Sequence, residues 1–347
     1  MDIRNRRAVR AAASEALAAN SGDPRKVALL YVVISAAIAM LVSAAAYLLA
    51  NQIANLGGLS NMSLRSILST VQSFLPAIMA VGLLGLRMGY RNAVLRMARR
   101  QDVRPRDLTE GFRCIGPALC GALLQGGLYF LLMTGAAYVA FFITMFTPLA
   151  ADYRALTDPI IQDPDAFLST MLATPDPAFF EPYIAAVQVT LPLFLAIFIV
   201  MFPAISAPFF YLYRMTDYFI LDNPRMGSRA AMRESLRMTM RKRTQLLKLD
   251  LGFWWFHLPR MILIAFSADR ILTFLMGIPL PQDISAMYLA SLAAALALLA
   301  VLDYFFLNRV ETAHAMVYDS LRPEPQPAQG GVVLGNIFDL AKDYKED

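Results

Sequence analysis

The chain reads as an all-α, polytopic membrane protein with six transmembrane helices, cytoplasmic amphipathic helices, and N- and C-termini inside. Three observations carry that reading. Hydrophobic residues make up 58% of the 347 and charged residues only 16%, with mean hydropathy +0.51. Soluble domains carry roughly 25% charged residues, and a soluble globule this apolar would expose large sticky patches. Long apolar stretches alternate with short polar ones, and 27 of the 31 Lys and Arg fall in every second polar segment. These are the N-terminal arm, the 91–113 region with Arg87 beside it, the 214–248 region and the C-terminal segment. Cytoplasmic loops retain Lys and Arg because positive charge resists translocation. The net charge of +5 therefore reflects membrane topology and contact with anionic headgroups, worth about 1 kcal/mol per basic residue near the surface. It does not point to nucleic acid.

The sequence divides into an amphipathic N-terminal helix (1–26), a membrane domain (27–321) and a flexible tail (322–347). In the first, Asp2 is positioned to cap a helix over 2–20, and Ser21-Gly22-Asp23-Pro24 stops it. Arg4, Arg6, Arg7 and Arg10 are followed by an Ala-rich stretch holding Ser14 and Glu15 rather than by the short apolar core of a secretory signal. Span one covers about Val27–Leu49, with Ser35, Ala39 and Ser43 forming a ridge of small residues that permits close helix contact. Span two covers about Ile67–Tyr90 and carries Gly85 and Gly89. Span three runs from about Ile115 to Phe146, longer than the roughly 20 residues a bilayer needs. Cys114 and Cys120 near its start are expected to stay reduced and to face different directions.

Residues 149–183 form an external acidic loop with Asp152, Asp158, Asp163, Asp165, Asp176 and Glu181 against Arg154. Its Asp-Pro steps predict short helical turns, and its spacing matches no Ca²⁺ loop. Span four, about Tyr183–Leu221, is too long for one straight span and contains Pro192, Pro203 and Pro208, which kink membrane helices. Span five is placed at Leu246–Phe266 and span six at Ile284–Leu307. The tail breaks at Pro323, Pro325 and Pro327, and a weakly amphipathic helix is expected over Val332–Asp347.

The most informative segment is the cytoplasmic Arg-rich helix over 225–245. Arg225, Arg229, Arg233, Arg237 and Arg241 recur every four residues, which stacks them into one ridge. Glu234 is the local counter-charge, so the ridge is expected to bind an anion such as a lipid headgroup, since Arg takes phosphate bidentately. The bland alternative is an interfacial helix that only enforces topology. Tyr213-Arg-Met-Thr-Asp217-Tyr218-Phe-Ile-Leu-Asp222-Asn223-Pro224, followed by Ala231, Ser235 and Met240, resembles the core signature of domain of unknown function 975. These are bacterial integral membrane proteins. Arg6/Arg7 with Ala16-Leu17, and the closing Glu311-Thr-Ala313-His-Ala315-Met-Val-Tyr318-Asp-Ser-Leu321, fit its two ends. Pro203-Ala204 stands where the family usually has Pro-Gly, and Arg241-Lys242-Arg243 falls where it commonly has a Gly. The resemblance implies a six-helix, multi-pass protein of the bacterial plasma membrane and supplies no activity.

Chemical motifs are missing. None of the five Lys follows a Gly, so there is no phosphate-binding Gly-Lys loop. His257 and His314 lack partners at metal spacing, and no nucleophile elbow is present. The expectation is a non-enzymatic protein without cofactor or metal. Ionisable residues within membrane segments are functional candidates by default. Here Arg87, Arg214, Asp217, Asp222, Lys248 and Asp303, with Asp250, crowd toward the inner face and are expected to form an inner-mouth charge cluster. Asp303 is expected to pair with Arg214 or Lys248, and Arg260 to snorkel outward or meet Asp269. Two functions follow. One is a protein that organises anionic lipid or a partner complex, including a homo-oligomer, at the cytoplasmic face. The other is a small secondary transporter or channel with a cytoplasm-facing charged cavity.

Overall fold

The computed structural model describes residues 5–20, 22–55, 62–163, 177–275 and 282–322. Its elements are α1 (Arg6–Ala18), α2 (Pro24–Asn55), α3 (Met62–Ala98), α4 (Asp107–Glu110), α5 (Ile115–Met145) and α6 (Ala151–Gln162). The second half comprises α7 (Pro177–Tyr213), α8 (Thr216–Asp222), α9 (Ser228–Thr239), α10 (Arg243–Leu251), α11 (Trp254–Leu275) and α12 (Gln282–Leu321). Among the described residues every element is helical. Five helical segments among the described residues are long and apolar enough to cross a membrane, and a sixth arises if α10 and α11, bent by 83°, are counted as one span. The chain is a polytopic helical membrane protein.

Burial is lopsided along the bundle. The main core gathers Val9, Val27, Met88, Tyr218, Phe253 and Tyr318 with their neighbours, all near the basic ends of the helices. Toward the other end, Phe74, Ile78, Phe130, Leu131, Ile199 and Val200 are exposed. In water that distribution would be ruinous; in a bilayer the lipid tails cover those side chains. Small residues set the closest approaches. Ala39 and Ser43 of the span-one ridge are buried, with Ala39 packed against Leu292 and Leu296 of α12. A Cβ on Gly89 would overlap the backbone of Leu108, and one on Gly111 would overlap Gly89, so the α4 turn presses directly onto α3. Arg100, at φ 56°, takes the left-handed conformation that ends α3.

Four expectations are corrected. The N-terminal helix starts at Arg6 because Asn5 caps it, its side-chain oxygen accepting from the Ala8 N–H at 3.1 Å; Asp2 lies outside the described residues. Span five is not straight: α10 ends at Leu251, Gly252 and Phe253 make the turn, and the apolar run continues through α11 to Leu275. Span six continues beyond Leu307 to Leu321, because Val310, Ala313, Ala315, Val317 and Tyr318 are buried in the main core and no Pro intervenes before Pro323. Part of the acidic loop is the twelve-residue helix α6 rather than isolated turns. Residues 164–176 and the helix expected at 332–347 lie outside the described residues. Cys114 is buried and Cys120 exposed, both free, as their spacing predicts.

Candidate functional site

The break between α7 and α8 organises the basic end. Four prolines, Pro182, Pro192, Pro203 and Pro208, lie inside α7, and the helix stops at Tyr213. Stopping there leaves terminal carbonyls without helical partners. Helix α9 supplies them: Ser235 Oγ and Thr239 Oγ1 donate to the Leu212 carbonyl at 2.8 and 2.9 Å. Ser235 Oγ also accepts from the Met215 N–H at 3.2 Å, and Ser228 Oγ donates to the Pro117 carbonyl at 2.5 Å. Ser228, Ala231, Ser235 and Thr239 thus form the buried face of α9.

The opposite face carries the ridge. Arg229, Arg233 and Arg237 project from α9, with Arg225 in the turn before it and Arg241 in the turn after it. All five are exposed, and among the described residues none has a carboxylate within ion-pair distance. The helix itself is therefore shorter than 225–245, and Lys242 is the residue immediately before α10.

The inner-mouth charges do meet, but in separate groups. Asp217, in the first turn of α8, receives Arg87 at 3.2 Å and a close contact from Arg91, both from α3. Asp222, at the far end of α8, accepts two bonds from Arg99 at 2.8 and 2.9 Å, one from Arg322 at 2.8 Å and one from the Tyr318 hydroxyl at 2.8 Å. Arg99 also reaches Asp319 at 2.7 Å. Asp250, near the end of α10, accepts from Arg214 Nη1 at 2.6 Å and from the Tyr211 hydroxyl at 2.8 Å. His314 joins this group with Nε2 at 2.7 Å from Asp250 Oδ1 and Nδ1 at 3.2 Å from Arg214 Nη2. The same Arg214 nitrogen stands 2.9 Å from His314 Nε2. His257 Nε2 stands 3.7 Å from Asp250.

Two pairings differ from expectation. Asp303 pairs with Arg260, Nε to Oδ1 at 2.8 Å, and not with Arg214 or Lys248. Arg260 accordingly points inward, with its guanidinium 5.8 Å from the Phe256 ring centroid. A buried charge is costly unless paired, and α12 brings Asp303 within hydrogen-bond distance of Arg260 on α11. Asp269 is taken by Arg270. Lys248 does not join the cluster: it is exposed, two residues from Asp250 and hence on the other side of α10. Its contribution is its backbone carbonyl, which accepts from Arg6 at 3.3 Å.

Sequence reading passed over Arg91, Arg99 and Asp319, and considered His314 only as a metal ligand that lacks partners. The family-like segments contained His314 and Asp319, and the basic connector contained the two arginines, but nothing in either specified their partners. It also passed over Glu311. This carboxylate makes no direct hydrogen bond or ion pair among the described residues, yet it interacts electrostatically with Arg91 of α3, Arg214 of the α7–α8 turn, Arg260 of α11 and His314 of its own helix. Among the described residues no group of three or more His, Cys, Asp and Glu side chains is disposed to hold a metal ion. No family model matches this chain, nor does any curated protein or solved structure.

Proposed function

We propose that this protein is a non-enzymatic organiser of the bacterial plasma membrane, holding anionic lipid or a partner complex at the cytoplasmic face. The observation that supports it is how differently its arginines are matched. Those pointing into the bundle, Arg87, Arg91, Arg99, Arg214 and Arg260, each meet a carboxylate. Among the described residues, those along α9 meet none. Stacked guanidinium groups repel one another, and lipid phosphates are the nearest anions able to bridge neighbouring arginines bidentately. The hydroxyl bonds to Leu212 hold α9 with that face outward.

The test is retention of phosphatidylglycerol by protein reconstituted in vesicles, comparing the wild type with R229Q/R233Q/R237Q/R241Q. These side chains are exposed, so the variant keeps the buried face of α9. Loss of anionic-lipid enrichment is expected, and unchanged retention contradicts the reading.

A second reading, a small transporter or channel with a cytoplasm-facing charged cavity, draws support from Glu311. A carboxylate without a direct partner among four cationic or ionisable side chains has the character of a ligand or proton site. On this reading Cys at position 311, in a chain lacking Cys114 and Cys120, reacts with a membrane-impermeant thiol reagent. Inertness from both sides counts against it.

A further inference from the structure

A second basic site lies apart from the α9 ridge, where α1, α12 and the bend between α10 and α11 meet. The bend turns at Gly252 and Phe253, and Arg10 of α1 secures it, Nη1 donating to the Gly252 carbonyl at 3.2 Å with the guanidinium 5.8 Å from the Phe253 ring centroid. Beside this contact a cavity of about 330 Å³ opens, lined by Arg7, Arg10, Ala11, Phe253, Trp255 and Arg309.

Charge in this cavity is unbalanced. Arg7 and Arg10 lie three residues apart on one face of α1, and Arg309 comes from α12. Among the described residues none of the three has a carboxylate within ion-pair distance. Glu15, the acid of α1, is engaged elsewhere by Arg100 at 2.8 Å. Arg309 is oriented by a bond from its Nε to the neutral acceptor Ser14 Oγ at 2.9 Å, and among the described residues its terminal nitrogens make no ion pair. Three arginines and two aromatic rings lining one concave space are a set of groups able to take a phosphate ester. Arg forks take its oxygens, and the rings of Phe253 and Trp255 meet its carbon skeleton. Trp255 is 39% exposed, typical of an indole at a membrane–water boundary.

We infer that the Arg7–Arg10–Arg309 cavity is a binding site for a phosphate monoester or diester, supplied either as a phospholipid headgroup or as a soluble phosphorylated metabolite. Arg10 has a structural share through Gly252, whereas Arg7 and Arg309 are exposed and serve the ligand. This site is independent of the α9 ridge.

The experiment uses the emission of Trp255. The chain has two Trp, so Trp254→Phe leaves Trp255 as the sole reporter. In one arm the full-length protein sits in phosphatidylcholine nanodiscs and is titrated with glycerol 3-phosphate. In the other, the nanodiscs contain increasing phosphatidylglycerol or phosphatidic acid. A saturable emission change in either arm, shifted at least tenfold in midpoint by R7Q/R309Q and unmoved by R229Q/R233Q/R237Q/R241Q, is expected. Response to the soluble ester identifies a metabolite, and response to lipid alone identifies a headgroup. No change in either arm, or a change that R7Q/R309Q leaves intact, overturns the inference. Circular dichroism of R7Q/R309Q matching the parent confirms that a lost signal is not a lost fold.

Discussion

Arg260 and Asp303 face each other across α11 and α12 through two hydrogen bonds, Nε to Oδ1 at 2.8 Å and Nη2 to Oδ2 at 3.3 Å. Asp303 is 3% exposed in its side chain and Arg260 is 29%. The pair fixes the register of the two helices beyond the bend, and its charges are stranded if separated. Asp303→Asn is expected to destabilise the protein by about 3–5 kcal/mol, as is usual when one partner of a buried pair is removed. The double replacement R260L/D303L removes both charges and is expected to be far milder than D303N. Thermal unfolding in detergent across the cycle measures this, and a loss in the double variant equal to the sum of the two single losses would show that the pair is not coupled.

Arg99 and Asp222 tie the end of α3 to the end of α8, while Arg322 and Tyr318 bring the end of α12 to the same carboxylate. Asp222→Asn keeps the shape but withdraws the charge from two guanidinium groups. Hydrogen bonds to charged groups contribute roughly 1.5–3 kcal/mol each, so a loss in the lower part of that range is expected, tempered by the partial exposure of Arg99 and Arg322. Tyr318→Phe removes one of the four bonds and should lower the melting temperature less. A melting curve for D222N that overlays the wild type would refute the tie.

Close packing at Gly89 is open to a simple comparison. Gly89→Ala forces Cβ into the Leu108 backbone and is expected to cost about 1–3 kcal/mol. Gly126 lies within α5 with nothing within 4 Å of the Cβ position, so Gly126→Ala should be neutral or raise stability by roughly 0.5–1 kcal/mol through lower chain entropy. Melting temperatures moving in the same direction would argue against this packing.

The anchoring of α9 predicts a local effect. Ser235→Ala with Thr239→Val leaves the Leu212 carbonyl without its two hydroxyl donors. An unsatisfied buried carbonyl costs about 1–3 kcal/mol. Amide hydrogen exchange is expected to accelerate over 228–239 while α2 and α12 stay protected. Uniform protection across the chain would mean that the hydroxyls do not hold the helix.

Hydropathy made most of the fold legible because a bilayer imposes length and apolarity on each span separately. Spans one to three and the proline-rich fourth lie where the sequence places them. The bend in the fifth was less visible, although Lys248, Asp250 and Gly252 in the first third of that run were its signal. The continuation of α12 was less visible because Glu311, His314 and Asp319 interrupt its apolar run, whereas Val310, Ala313, Ala315, Val317 and Tyr318 beside them are drawn into a core shared with other helices. The ion pairs were the least legible. Arg91 and Asp217 lie 126 residues apart, and Arg260 and Asp303 lie 43 apart. Which acid each arginine reaches depends on how helices separated in sequence are rotated against one another. The four-residue period of the α9 arginines was legible for the opposite reason: it is a local property of one helix.

The most direct measurement is native mass spectrometry of the wild type and of R229Q/R233Q/R237Q/R241Q, each extracted from its own membrane in mild detergent. The account predicts that the wild type carries anionic phospholipid or a stoichiometric protein partner, and that the variant carries less of it. A bare protein in both cases, or one holding a small polar molecule equally in both, would contradict the organiser reading and favour transport.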